Sequence, residues 1–162
     1  ELINFGSSVL KNNNIFTHKL DSEILLSKVL KKSREELLIN LNQQVSSKKV
    51  DQFNSLVERR STKEPIAYIL KEKEFWSKNF IVNRNTLIPR PETELMVEEI
   101  VKIFKNRNIF ILDIGTGTGC ILLSIISELK NAKGIGVDVS NKAIKIANQN
   151  LNKHKLSHKI IN

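Results

Sequence analysis

Residues 109–114 are apolar at every position but Asp113, and they run directly into glycines at alternate positions, Gly115, Gly117 and Gly119. No other stretch restricts the fold as much. A short run without polar alternation, bounded by a turn signal, suits a central parallel strand covered on both faces. The glycines let the chain turn sharply out of that strand and approach a ligand with no Cβ in the way. Residues 120–130 then read as an apolar helix and residues 133–138 as a second strand. Ser140 reads as the cap of a further helix carrying Ala143, Ile144, Ala147 and Leu151, because a serine oxygen can accept a free N–H of the first turn. Lys159, Ile160 and Ile161 read as the start of a third strand. Strand, crossover helix and strand in this order predict the first part of a doubly wound α/β sheet.

The glycine segment reads Asp113-Ile114-Gly115-Thr116-Gly117-Thr118-Gly119, and Asp138 follows nineteen residues later, at the end of the second strand. A carboxylate there can accept hydrogen bonds from both hydroxyls of a ribose, so loop and acid form a nucleoside site at the carboxyl edge of the sheet. The dinucleotide fingerprint requires a glycine three places after its second glycine; Cys120 occupies that place. Gly-x-Gly-x-Gly preceded by an aspartate is the spacing usual in S-adenosylmethionine enzymes. That cofactor has no phosphate, so the loop serves its amino-acid and ribose portions, with Asp113 approaching the ammonium directly or through water. Asp113, Gly115, Thr116, Gly117, Thr118, Gly119 and Asp138 are the expected cofactor-binding residues. Nicotinamide or flavin binding, or a purely structural glycine turn, are the competing readings.

Upstream, residues 1–70 read as helices forming a small bundle. Leu20, Ile24, Leu25 and Val29 recur at helical spacing and predict one apolar side. Ser33-Arg34-Glu35-Glu36 is a capping-box pattern, and Val50, Phe53, Leu56 and Val57 mark a helix starting near Ser46 or Ser47. Pro65 interrupts and restarts the chain. From residue 72 the texture changes: Phe75-Trp76 and Phe80-Ile81-Val82 predict a β-hairpin turning at Ser77-Lys78-Asn79. Leu87-Ile88-Pro89-Arg90-Pro91 should be extended, since each proline disfavours helix in the residue before it. Pro91 can open the next helix, with Glu92 and Glu94 in its first turn and Met96, Val97, Ile100, Val101 and Phe104 on its buried side. The expected domains are a helical substrate-recognition domain (1–70), a hairpin linker (71–91) and a partial cofactor-binding domain (92–162).

Composition adds bounds. No segment of the 162 residues approaches the unbroken apolar length of a membrane span, and no secretory signal is evident. The single cysteine, Cys120, allows no internal disulfide and suits a reducing cytoplasm. Cys120 itself reads as a packing residue rather than a nucleophile. The formal charge of +9 is carried mainly by dispersed lysines; it admits nucleic-acid contact without requiring it. His154 and His158 have i, i+4 spacing but no third ligand, so no metal site is expected. Glu1 stands where a start methionine would, as in a chain trimmed at its beginning.

Pro65-Ile66-Ala67-Tyr68-Ile69, Phe75-Trp76, Phe80-Ile81-Val82 and Leu87-Ile88-Pro89-Arg90-Pro91-Glu92-Thr93-Glu94, with Asp21-Ser22-Glu23-Ile24-Leu25-Leu26 in the bundle, resemble the HemK/PrmC family over most of the chain. That family comprises protein-(glutamine-N5) methyltransferases of peptide-chain release factors. The resemblance implies a Rossmann-like class I methyltransferase domain, S-adenosylmethionine as cofactor and a release factor as protein partner. It implies that Pro89, Arg90 and Glu92 line the active site, although a plain linking role for Arg90 and Glu92 stands beside it. A sibling acting on a ribosomal protein, an adenine amino-methyltransferase of DNA or RNA, and a non-catalytic docking module are the alternatives. Two departures matter. Lys71 stands where the family usually has glycine, and the Asn-Pro-Pro-Tyr motif that grips the substrate amide is absent, there being no Asn-Pro dipeptide in the chain. The resemblance places that motif beyond residue 162, so these residues carry no catalytic group of their own, and a bare strand edge and an inactive fragment are expected. A second, fused methyltransferase domain further on is compatible with the pattern.

Overall fold

Among the first five helices only the third starts on a full capping box. The computed structural model describes residues 1–40 and 44–156 and falls into two units, Glu1–Leu70 and Lys71–Asn162. The first contains α1 (Leu2–Asn12), α2 (His18–Leu30), α3 (Arg34–Ile39), α4 (Ser47–Ser61) and α5 (Ile66–Leu70). Ser33 Oγ accepts from Glu36 N–H at 3.1 Å while Glu36 Oε2 accepts from Ser33 N–H at 2.7 Å, so the capping box starts α3. Ser46 precedes α4 without a side-chain cap, and the Pro65 carbonyl accepts the Tyr68 and Ile69 N–H groups of α5. Leu10, Leu25, Leu26, Phe53, Val57 and Ile69 form the core.

Helix α2 departs from the expected one-sided pattern. Its buried residues are Asp21, Ser22, Glu23, Leu25, Leu26, Ser27 and Leu30, while Leu20 is exposed. The cause is position: α1, α3, α4 and α5 all pack against it. Among the described residues the Ser27 hydroxyl has no hydrogen-bond partner, but enclosing a charged side chain is far more costly unless it is paired. Asp21 Oδ2 accepts from Arg60 Nε at 2.7 Å and Thr17 Oγ1 at 2.8 Å, Glu23 Oε2 from Arg34 Nε at 2.6 Å, and Ser22 Oγ donates to the Ile3 carbonyl at 2.9 Å.

The second unit opens with the predicted hairpin, β1 (Glu72–Phe75) against β2 (Lys78–Ile81). The turn is Trp76-Ser77, one residue earlier than expected, with φ of 52° and 54°. Two consecutive left-handed residues match the twist of the flanking strands. The register explains the choice. It puts Phe75 and Phe80 on one face, both buried, with ring centroids 6.2 Å apart in an edge-to-face pair. A turn one residue longer would send one ring to the other face. Glu94 Oε1 accepts the Trp76 N–H at 2.9 Å and Glu128 Oε1 accepts the indole N–H at 3.0 Å, which holds the turn in place.

Arg90 is extended, and Pro91 opens a 3-10 turn, Pro91–Thr93, before α6 (Glu94–Phe104). Val97 is buried and Ile100, Val101 and Phe104 pack on the core, but Met96 is exposed, contrary to expectation. Strand β3 (Phe110–Ile114), helix α7 (Cys120–Glu128) and strand β4 (Lys133–Val137) form a parallel crossover unit, with α8 (Asn141–Lys153) following. Ser140 Oγ caps α8 by accepting from Ala143 N–H. The buried side of α8 is Ala143, Ile146, Asn150 and Leu151; Ile144 and Ala147 are only partly covered. One expectation fails on β3. Ile111 packs on the core with α7, but Phe110, Leu112 and Ile114 are 56%, 58% and 79% exposed, so the strand is covered on one face. Among the described residues it pairs with β4 alone. The architecture is thus a helical bundle, a hairpin and the first part of a Rossmann-like α/β sheet. The strand expected at residues 159–161, and His158, lie outside the described residues.

Candidate functional site

Where β3 ends, the chain passes through three left-handed glycines, Gly115 (φ 79°), Gly117 (φ 55°) and Gly119 (φ 77°). They do different work. A Cβ on Gly115 would meet nothing within 4 Å, and one on Gly117 only the Gly115 carbonyl at 3.9 Å. Both positions therefore leave open space over bare backbone, the kind of cradle a ligand can approach. A Cβ on Gly119 would instead lie 3.1 Å from Leu123 Cδ1, so this glycine serves the start of α7.

The loop is braced from below. Gly115 and Thr116 both donate their N–H to the Val137 carbonyl, at 2.8 and 2.9 Å, carrying the strand pairing past the end of β3. The Thr116 hydroxyl donates to Asp113 Oδ2 at 2.7 Å, and the Thr118 hydroxyl accepts from Cys120 N–H at 3.3 Å. Both threonines are buried, so their side chains brace the loop. Gly136 on β4 makes room for the first, since a Cβ there would sit 2.8 Å from Thr116 Oγ1. Asp138 lies across from the loop: Oδ2 accepts the Gly117 N–H at 3.0 Å and Oδ1 the Ser140 N–H at 2.9 Å. The side chain is half-buried, and each carboxylate oxygen keeps capacity for a further donor. The structure thus brings Asp113, the glycines, both threonines and Asp138 to one edge of the β3–β4 pair.

Other candidates sit differently. Pro89 is buried, whereas Arg90 and Glu92 are exposed, and among the described residues no hydrogen bond ties either side chain to the loop. Cys120 is buried, and burial pushes its thiol pKa up, which suits packing. His154 packs against Phe80 with ring centroids 4.7 Å apart and the planes tilted by 53°, and desolvation, with Lys153 and Lys78 nearby, lowers its pKa. Among the described residues no cluster of His, Cys, Asp or Glu is able to hold a metal ion, and no helix is long and apolar enough to cross a membrane.

Two participants escaped the sequence reading. Gly136 had no motif around it. Asn150, fully buried, donates its Nδ2 to the Thr118 carbonyl of the glycine loop at 2.9 Å. The available signal was its register: it lies seven residues after Ala143 and four after Ile146, on the inward side of an amphipathic helix.

Comparison with known proteins agrees with this division. Residues 1–70 match the family described as the PrmC N-terminal domain, and residues 105–160 a methyltransferase domain family. The chain is 43% identical over 146 residues to a release factor glutamine methyltransferase of Buchnera aphidicola subsp. Acyrthosiphon pisum, covering 90% of this chain and 53% of that protein. It is 47% identical over 133 residues to a release factor glutamine methyltransferase of Buchnera aphidicola subsp. Schizaphis graminum, covering 82% and 48%. A bifunctional methyltransferase of Rickettsia typhi is 37% identical over 179 residues, covering 99% of this chain and 35% of that protein. The chain therefore spans a third to a half of the length of these relatives. With both domain matches in order and relatives so named along nearly its whole length, the chain belongs to the HemK/PrmC family of methyltransferases.

Proposed function

We propose that this chain is the substrate-recognition and cofactor-binding part of an enzyme that uses S-adenosylmethionine to methylate the glutamine of the Gly-Gly-Gln loop in peptide-chain release factors. The observation that carries the reading is the pairing of a bare glycine loop with Asp138 through the 3.0 Å bond from Gly117. That bond sets a carboxylate with spare acceptor capacity beside open backbone, as the ribose and amino-acid portions of a nucleoside cofactor require.

When bound, the cofactor supplies an electrophilic methyl group on a sulfonium sulfur. The glutamine amide nitrogen is a poor nucleophile, because its lone pair is delocalised into the carbonyl. It forms the new N–C bond as the S–C bond breaks, then loses its proton to solvent, giving N5-methylglutamine and S-adenosylhomocysteine. Such a reaction gains most from alignment and from acceptors aimed at the amide N–H groups. The residues described here would hold the donor: Asp138 the ribose hydroxyls, Gly115 and Gly117 the close backbone approach, Asp113 the ammonium. The acceptors for the amide belong, on the family resemblance, to the Asn-Pro-Pro-Tyr motif, which these residues do not contain. The helical unit Glu1–Leu70, which carries no chemistry of its own, would recognise the protein substrate, and relatives named bifunctional favour a second methyltransferase domain in the parent.

The test is transfer of labelled methyl from S-adenosylmethionine, by the parent protein and by these 162 residues, to release factor, ribosomal protein and nucleic acid. The reading expects label on the release-factor glutamine from the parent and none from the shorter chain. Label on ribosomal protein or nucleic acid alone would refute the substrate.

A further inference from the structure

Asn150 makes contacts that packing alone does not call for. Its side chain is fully buried and uses both ends. Oδ1 accepts the Ile81 N–H at 2.6 Å, and Nδ2 donates to the Ile81 carbonyl at 3.0 Å and to the Thr118 carbonyl at 2.9 Å. Toward β2 the amide behaves as a peptide group of a neighbouring strand would, satisfying donor and acceptor of one residue. Its remaining N–H reaches the glycine loop. One side chain on α8 thus joins the hairpin to the loop that faces the ligand.

We propose that Asn150 is a positioning residue that couples the β1–β2 hairpin to the glycine loop, so that filling the cofactor site is transmitted to the hairpin. This rests on the cofactor reading given above. The path is continuous. Asp138 holds the Gly117 N–H; the next residue, Thr118, gives its carbonyl to Asn150; Asn150 holds Ile81 from both sides; and the hairpin ends at Trp76, itself pinned by Glu94 and Glu128. A ligand contacting the loop backbone between residues 115 and 119 changes the demands on the Thr118 peptide. The shared Nδ2 must follow, because a buried amide cannot release a carbonyl to water without cost. Replacement by an apolar side chain of similar size would leave the Ile81 N–H, the Ile81 carbonyl and the Thr118 carbonyl without this partner.

The chain has one tryptophan, Trp76, at the tip of the hairpin, which makes the coupling measurable. S-adenosylhomocysteine is titrated into the 162-residue chain, with affinity read by calorimetry and Trp76 emission read at saturation. The same is done for Asn150→Leu, Asn150→Ser and, as a control on the exposed side of α8, Asn148→Ser. Expected are a Trp76 emission change on binding in the unsubstituted chain and the control, and its loss in both Asn150 variants, with affinity weakened about tenfold or more, about 1.4 kcal/mol. No binding by the unsubstituted chain would overturn the cofactor reading itself. Binding without any Trp76 response, or Asn150 variants that keep both affinity and response, would overturn the coupling while leaving the cofactor reading intact. Circular dichroism shows whether the variants fold; if neither does, Asn150 is a residue of the core and the proposal fails.

Discussion

Replacing Asp138 with alanine tests the site at its centre, and the structure gives the size of the effect. The carboxylate holds two backbone donors, Gly117 N–H at 3.0 Å and Ser140 N–H at 2.9 Å. Hydrogen bonds to a charged group contribute about 1.5–3 kcal/mol each when fully enclosed. Asp138 is only half-buried, so water can take over much of what the two N–H groups lose, and a total near 1–2 kcal/mol of stability is expected. For a unit of this size that lowers Tm by about 4–8 °C per kcal/mol. Cofactor affinity should suffer more. The ribose would lose both acceptors while the loop loses the contact that holds Gly117, so binding should weaken by about 1.5–3 kcal/mol, or roughly ten- to a hundredfold. Gly117→Val separates the two effects. It leaves Asp138 in place but sets a β-branched residue at φ 55° with its Cβ in the open space over the loop, a backbone state costing about 1–2 kcal/mol for an L-residue. Calorimetry with S-adenosylhomocysteine beside thermal melts gives both quantities. Unchanged affinity in both variants would refute the assignment, whatever the melts show.

Lys71→Gly should raise stability by up to about 1 kcal/mol in denaturant titration, because Lys71 sits at φ 62°, where glycine avoids a Cβ clash but gives back part of the gain as unfolded-state entropy. A loss would mean that the lysine side chain contributes more than the backbone strain. Arg60→Met should cost about 3–5 kcal/mol in urea unfolding by stranding the buried Asp21 carboxylate; a double variant with Asp21→Asn should recover most of it, and no recovery would count against the pair. The His154 pKa is lowered in the fold, first by desolvation. The unfolded chain therefore takes up the proton first, and stability should fall as pH drops from about 6.5 toward the folded value while staying flat above. His154→Gln should flatten that part of the profile, and an unaltered slope would exclude His154 as its source. Finally, the exposed Leu112 and Ile114 on β3 should make the 162-residue chain self-associate in sedimentation, with Ile114→Lys weakening association; a strict monomer at all concentrations would show the face to be inert.

Signals confined to a few neighbouring residues were legible. The Ser33 to Glu36 capping box, the extended Arg90 before Pro91 and the Ser140 cap all stand as read, because each depends on hydrogen bonds or sterics within one turn. The parallel order of β3 and β4 was legible for a related reason: a strand, a glycine loop and an apolar helix leave the next strand few places to go. Among the candidate site residues, the motif predicted that Asp113, the loop and Asp138 share one edge, and they do. It did not tell the three glycines apart, since Gly119 serves helix packing while Gly115 and Gly117 face open space. Nor did it show that Thr116 and Thr118 turn inward, because that depends on Gly136 and Cys120 beneath them.

What was not legible depends on partners far along the chain. The inward positions of α2 include Asp21 and Glu23 because arginines thirty-nine and eleven residues later reach back to them, and no periodicity within α2 records that. The hairpin turn fell one residue from its expected place because two phenylalanines had to share a face, a constraint set by the core and not by the turn residues. Strand β3 shows the same limit from the other side. An apolar run implies that both faces can be buried favourably, but not that the covering elements lie in the same stretch of chain, and here Phe110, Leu112 and Ile114 stay uncovered. Asn150 makes the reverse case. Its amide is polar where periodicity asks for an apolar residue, and its partners, Ile81 and Thr118, lie 69 and 32 residues away and offer only backbone. A side chain that pairs with backbone leaves no complementary residue for sequence reading to find. A polar residue on the inward face of an otherwise amphipathic helix is therefore worth treating as a question about which main chain it holds.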